Sequence, residues 1–200
     1  RLSGADRFVG LGWSSVFTAT ILVGGVRTLF PPLAVDLHFA GRVIGLLLMA
    51  VPALQIVVFV LLGRWHGWYY RFWPLALAQL LGAVGCWVAA RAGGPWGFAA
   101  GFFLIGILVG LSVTCSLFYS VHGQANTGQR AGLHEGISGL GAIVGPALFG
   151  IVSQFTNARM PYYVSACLLL ALIIAQVVFS LAWKRRVLSP ATASTGTQQS

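Results

Sequence analysis

Residues 160–183 read MPYYVSACLLLALIIAQVVFSLAW, a run without Asp, Glu, Lys or Arg between Arg159 and Lys184. A membrane helix needs about 20 mostly apolar residues, so the run is long enough for one crossing. A membrane strand alternates apolar and polar residues with a period of two. Leu168–Phe179 does not alternate, and neither does Ile105–Val113. Both are apolar around the whole helix, the pattern of a helix embedded in lipid.

Working outward from this run, charges punctuate the chain. Residues 8–26, 43–63, 72–90, 92–129 and 136–158 are also free of charged residues. The stretch 92–129 ends in a polar segment, His122–Gln129, which leaves one helix near 97–121. The expected architecture is an all-α membrane bundle of six transmembrane helices, with spans at about 8–32, 43–62, 72–92, 97–121, 136–155 and 162–183. Pro31-Pro32 marks the expected end of span one, because proline does not continue a helix comfortably. Ala92-Gly93-Gly94-Pro95 breaks spans three and four, and Asn157-Ala158-Arg159-Met160-Pro161 breaks spans five and six.

Composition agrees. The chain has 200 residues, of which 58% are hydrophobic and 8% charged. Soluble domains carry about 25% charged residues, and a water-facing surface cannot be built from so few. The net charge of +9 comes from single Arg and Lys residues scattered between apolar runs. That pattern argues against nucleic acid as a partner and for loop charges that set topology. Cys86, Cys115 and Cys167 lie in apolar runs with no Cys-x-x-Cys pair, and are expected as buried thiols. No His, Asp or Glu cluster supplies three metal ligands, and no metal or cofactor is expected.

Six crossings put both termini on one side. That side holds Arg1, Arg7, Arg64, Arg71, Arg130, Lys184, Arg185 and Arg186, against Arg27, Arg42, Arg91 and Arg159 on the other. The excess predicts that both termini are cytoplasmic; the expected location is an integral protein of a bacterial cytoplasmic (inner) membrane. Trp65, Trp68, Tyr69, Tyr70 and Trp73 are expected as an aromatic belt at that boundary. The polar start at Arg1 carries no signal peptide pattern, and residues 1–7 are expected as the cytoplasmic end of a linker cut from a longer chain. Residues 187–200 are Ser/Thr/Gln-rich and expected to be a disordered cytoplasmic tail.

Gly45 precedes Pro52-Ala53-Leu54 by the same distance as Gly139 precedes Pro146-Ala147-Leu148, a shift of 94 residues. Spans two and five would then be equivalent members of two inverted three-helix repeats, an arrangement common in secondary transporters. Span five is rich in small residues, with Gly132/Gly136 and Gly141/Gly145 as G-x-x-x-G pairs. Such pairs let helix backbones approach closely in lipid, and Pro146 removes one helical hydrogen bond.

The spacing of Gly132, Gly141, Gly145, Pro146 and Gly150 resembles the antiporter signature of the major facilitator superfamily, G-x8-G-x3-G-P-x2-G-G. Phe149 departs from it. The loop between spans two and three resembles the family's loop signature, G-x-x-x-D-R/K-x-G-R/K-R/K, at Gly63 and Arg71, with Gly67 in place of the Asp. The resemblance covers about residues 8–186 and implies spans seven to twelve of a twelve-helix transporter, the carboxyl-terminal half of the fold. It further implies a second six-helix bundle as partner and alternating access of a small-molecule substrate. Spans one and four would line the path, two and five would meet the partner bundle, and three and six would face lipid. Gly63, Arg71, Arg130, Glu135, Gly132, Gly141, Gly145, Pro146 and Gly150 are the candidate gating or packing residues.

Polar groups within spans are the candidates for substrate contact. Arg27 near the outer end of span one either snorkels to the interface or binds an anionic group. Gln55, Gln79 and Tyr119 either line a cavity or bond to neighbouring helices. Glu135, with Arg130 five residues earlier, is a cytoplasmic latch or a site for a coupling proton; adjacent His134 is expected at the interface. Other readings are a six-helix channel, a structural membrane component, and a rhomboid-like serine protease using Gly136-Ile137-Ser138-Gly139. The protease needs a His within hydrogen-bond reach of Ser138, and no His lies in a neighbouring span. The chain is therefore not expected to be an enzyme.

Overall fold

The computed structural model describes residues 4–122 and 126–188. They form six helices: α1 (Gly4–Asp36), α2 (Gly41–Arg64), α3 (Phe72–Arg91), α4 (Pro95–Val121), α5 (Thr127–Phe155) and α6 (Met160–Leu188). Each is long and apolar enough to cross a membrane, and there is no strand among the described residues. Residues 187 and 188, expected in the tail, continue α6; 189–200 lie outside the described residues, as do 1–3.

The expected stop at Pro31-Pro32 does not hold, because α1 runs through both prolines to Asp36. Each proline removes one backbone hydrogen bond, but the turn around them is fixed by packing. Phe30 is fully buried with its ring 5.0 Å from Phe98 and 4.8 Å from Phe102, and Leu33 and Ala34 are buried one turn on. The helix stops at His38, whose φ of 61° is left-handed. His38 N–H donates to Val35 O and Phe39 N–H to Ala34 O, the paired bonds that close a helix carboxyl end. At the other extreme, α5 begins at Thr127, so the expected start of span five at 136 falls inside the helix.

Four helices lie side by side in the order α2, α4, α1, α5, with α3 behind α4 and α6 behind α3. The seats are made by glycine. A Cβ at Gly110 of α4 would meet Val58 of α2 at 2.6 Å, and one at Gly141 of α5 would meet Phe17 O of α1 at 2.8 Å. Gly145 sits still closer, against Ile21 O. Each middle helix of a repeat therefore docks on the first helix of the other repeat. The two dockings are related to each other as a two-fold axis in the membrane plane requires. The backbones of α3 and α4 meet directly: a Cβ at Gly85 would lie 2.7 Å from Gly101 O, and one at Gly101 would lie 2.8 Å from Gly85 O.

Span three, expected to face lipid, is exposed along one stripe only. Trp73, Leu77, Leu80, Val84 and Trp87 are exposed at helical spacing, while the rest of α3 packs on α4 and α6. Cys86 and Cys115 are buried, but Cys167 is exposed on α6, contrary to expectation. Its position falls on that helix's outward face, beside exposed Leu168 and Leu170.

Two apolar clusters fill the bundle. One gathers Phe30, Phe98, Phe102 and Tyr162, and the other Leu11, Trp68, Leu75 and Tyr119. A buried polar layer separates them, since Ser15 follows Leu11 on α1, Gln79 follows Leu75 on α3 and Ser112 precedes Cys115 on α4.

Candidate functional site

In the polar layer Ser15 Oγ lies 2.8 Å from Ser112 Oγ. Gln79 Nε2 donates to Ser15 Oγ at 3.1 Å and to Gln176 Oε1 at 3.0 Å. Gln176 Nε2 donates to Ser14 Oγ at 2.9 Å and to Leu11 O at 3.3 Å. Ser15 and Ser112 are 97 residues apart, and so are Gln79 and Gln176. Each residue bonds to its counterpart in the other repeat, so the pseudo-two-fold axis passes between them. Amides buried in lipid must find partners inside the protein; groups of α1, α3 and α6 supply them to Gln176 and to Gln79 Nε2, while the buried Gln79 Oε1 has none among the described residues.

An axis in the membrane plane marks the bilayer midplane, which gives every other group a depth. Arg27 is twelve residues along α1 from Ser15, about 18 Å at the helical rise, against a half-thickness of about 15 Å for the hydrocarbon. It is exposed, at the outer edge of the apolar region. Ser116 is one turn from Ser112, about 6 Å toward the opposite face. Its Oγ is 2.8 Å from Nδ1 of His134, which is 2% exposed. His134 is thus inside the apolar region and not at the interface, because α5 begins two turns earlier than expected and carries the ring against α4. Nε2 of the same ring is 3.9 Å from Glu135 Oε1, whose side chain is exposed. Beyond Ser116, Ser120 Oγ donates to Ser116 O and receives Trp13 Nε1–H at 2.8 Å. Trp13 borders a cavity of about 430 Å³ between the first turns of α1 and α5, lined also by Gln129 and Arg130.

The four substrate-contact candidates do not come together. Arg27 is exposed and Gln55 half-buried on α2, whereas Gln79 and Tyr119 are wholly buried within the bundle. Tyr119 packs between Phe8 and Tyr70, at ring distances of 5.4 and 5.5 Å. The aromatic belt also divides. Trp65 and Trp73 are exposed, but Trp68 is buried with Nε1 donating to Leu62 O, and Tyr69 stacks on Phe118 at 4.3 Å. Tyr70 takes φ 51° to reach Tyr119. In this loop Gly63 and Arg71 are exposed, and aromatic packing joins the loop to the end of α4.

The glycines of α5 fall on two faces. Gly141 and Gly145 are sunk into α1, and Pro146 packs beside Gly24 of α1. Gly132, Gly136, Gly139 and Gly150 share the opposite face by the helical period, and nothing lies within 4 Å of where their Cβ atoms would be. Ser138 of the G-x-S-G string is half-buried, and the ring of His134 bonds to Ser116 instead. Ser116 is fully buried, out of reach of a substrate. Among the described residues no group of His, Cys, Asp and Glu could hold a metal ion.

Gln79 is a candidate from the sequence, and of its two readings the bond to a neighbouring helix is what the structure contains, to Gln176; Gln176, Ser15 and the inward ring of His134 are not expected there. The signal for the layer was present: Ser15/Ser112 and Gln79/Gln176 repeat at one spacing.

The sequence model of the Major Facilitator Superfamily matches residues 12–199. A comparison with curated proteins gives no match.

Proposed function

The chain belongs to the Major Facilitator Superfamily, a family of membrane transporters, and from that premise we propose that it carries out secondary active transport of a small solute by alternating access. It supplies one of two helical bundles that rock about a path near the midplane. The observation that carries this reading is the open glycine face of α5. Small residues gain little against lipid tails but let another helix come close, so a second six-helix bundle is the natural occupant. Arg27, at the outer edge, is the group that attracts an anionic part of the solute.

The coupling ion in this reading is a proton carried by His134. Of the four histidines it alone is buried, and it sits between the Ser116 hydroxyl and the exposed Glu135 carboxylate. The excess of Arg and Lys at the end bearing the α2–α3 loop supports a cytoplasmic position for that end and for both termini, with the bundle in a bacterial inner membrane.

The test uses proteoliposomes containing the protein with its second bundle. His134→Asn is expected to abolish proton-driven accumulation while leaving downhill exchange, and Glu135→Gln to slow accumulation. Undiminished accumulation in H134N would remove the proton from the mechanism. Arg27→Gln should raise KM for the solute several-fold with unchanged insertion; an unchanged KM takes Arg27 off the path. Solute flux through the 200-residue chain alone would favour a channel.

A further inference from the structure

Helices α2 and α3 are joined by only seven residues, 65–71, yet their backbones make no close approach. Both lean on α4, and the wedge between them is a groove of about 440 Å³. Its walls are Leu61 and Trp65 on one side and Trp73 and Leu77 on the other, with Phe103 and Ile107 among the floor residues. At the loop end the Trp65 and Trp73 rings meet edge to face, 6.0 Å apart. Arg64 ends α2 and Arg71 precedes α3, both exposed beside those indoles. Neither side chain engages a hydrogen bond or ion pair among the described residues.

We infer that this groove binds one phospholipid with an anionic headgroup, its acyl chain lying against Leu61, Leu77 and Ile107 and its phosphate held by Arg64 and Arg71. The groove is lined by side chains that have only dispersion to offer. It lies between exposed stripes of α2 and α3, so acyl chains are what reach it. Arg64 and Arg71 are exposed one and two residues along the chain from the lining residues Trp65 and Trp73, and guanidinium matches a phosphate bidentately. Indoles between them sit where an aromatic ring prefers the headgroup boundary. Depth agrees: Arg71 is eight residues from Gln79 in the midplane layer, about 12 Å, which lets its long side chain reach the headgroups.

Gly67 shapes the mouth. A Cβ there would meet Trp65 Nε1 at 2.6 Å, so a side chain at 67 would displace the indole that lines the groove. The family's loop signature has an Asp at this place, and the departure has a physical use.

The inference rests on the membrane-spanning fold and not on transport, and its readout is lipid retention. The chain is purified in detergent, stripped of lipid, and offered phosphatidylglycerol, phosphatidylcholine or inorganic phosphate. Native mass spectrometry then counts what stays bound. The wild type should hold one phosphatidylglycerol, with phosphatidylcholine at least tenfold weaker, and inorganic phosphate should not displace the lipid. Arg64→Gln with Arg71→Gln should erase the preference, losing about tenfold or more, since each surface cation contributes modestly. Leu77→Trp, which fills the groove from a position 47% exposed, should lose both lipids. Equal retention of the two lipids by the wild type would overturn the inference. So would wild-type retention in L77W, or, in membranes holding the chain together with its second bundle, a cross-link from Leu77→Cys to that bundle, which would make the groove a protein seat. The exposed arginine variants keep the test decisive if L77W fails to fold.

Discussion

At the residue scale the bundle depends on glycines at two positions of α5. Gly145 has the Ile21 carbonyl where a side chain would begin, whereas Gly150 has nothing within 4 Å. Gly145→Ala must push α1 and α5 apart, and overpacking of this kind costs about 1–3 kcal/mol. Gly150→Ala should stay within about 0.5 kcal/mol. Thermal unfolding in detergent checks the pair: a lower midpoint for G145A and an unchanged one for G150A. Both glycines belong to one sequence signature, so the sequence marked the helix as close-packed. It did not say which side each glycine faced, since that depends on where α1 lies. His134 was misplaced for a related reason. A His beside Glu135 and one turn from Arg130 reads as a loop residue, and only the early start of α5 and the nearness of Ser116 turn the ring inward.

At the element scale, charge punctuation located all six helices, because an unpaired charge is costly inside lipid. Helix ends were less legible. Pro31-Pro32 looked like a stop because local backbone chemistry opposes helix there, but the burial of Phe30, Leu33 and Ala34 overrides it. Arg159 was legible only as a loop charge. Its Nη1 donates to Ala90 O at 2.9 Å and Ala92 O at 2.7 Å, tying the α5–α6 turn to the carboxyl end of α3. Cationic groups there satisfy open carbonyls and oppose the helix dipole. Arg159→Ala should cost about 1–2 kcal/mol and speed hydrogen exchange in the last turn of α3, while the first turn of α3 exchanges as before. Uniform exchange along α3 in the variant would show that the contact is incidental.

At the scale of the whole molecule, the Gly45/Pro52 and Gly139/Pro146 match suggests a repeat at a shift of 94 residues, whereas the bonded pairs of the polar layer lie 97 apart, and the axis between them is not legible in the sequence. Four scattered residues of middling polarity, Ser15, Gln79, Ser112 and Gln176, acquire meaning only when they bond to one another. Single cysteines test the resulting depth scale. Replacements at Trp65 and Trp96, both exposed near opposite ends, should react with impermeant reagents from opposite faces of sealed vesicles, and one at Ser112 from neither. Labelling of Trp65 and Trp96 replacements from the same face would invalidate the six-crossing topology. The docking of α2 on α4 and of α5 on α1 also bears on how the chain is made. When α2 leaves the ribosome its seat has not been translated, and it waits in the bilayer through the whole of α3. Not until α4 arrives does the first repeat become complete, and then on a partner belonging to the second. Assembly therefore cannot proceed one repeat at a time, and an interruption of synthesis after α3 leaves a product with nowhere to place its middle segment.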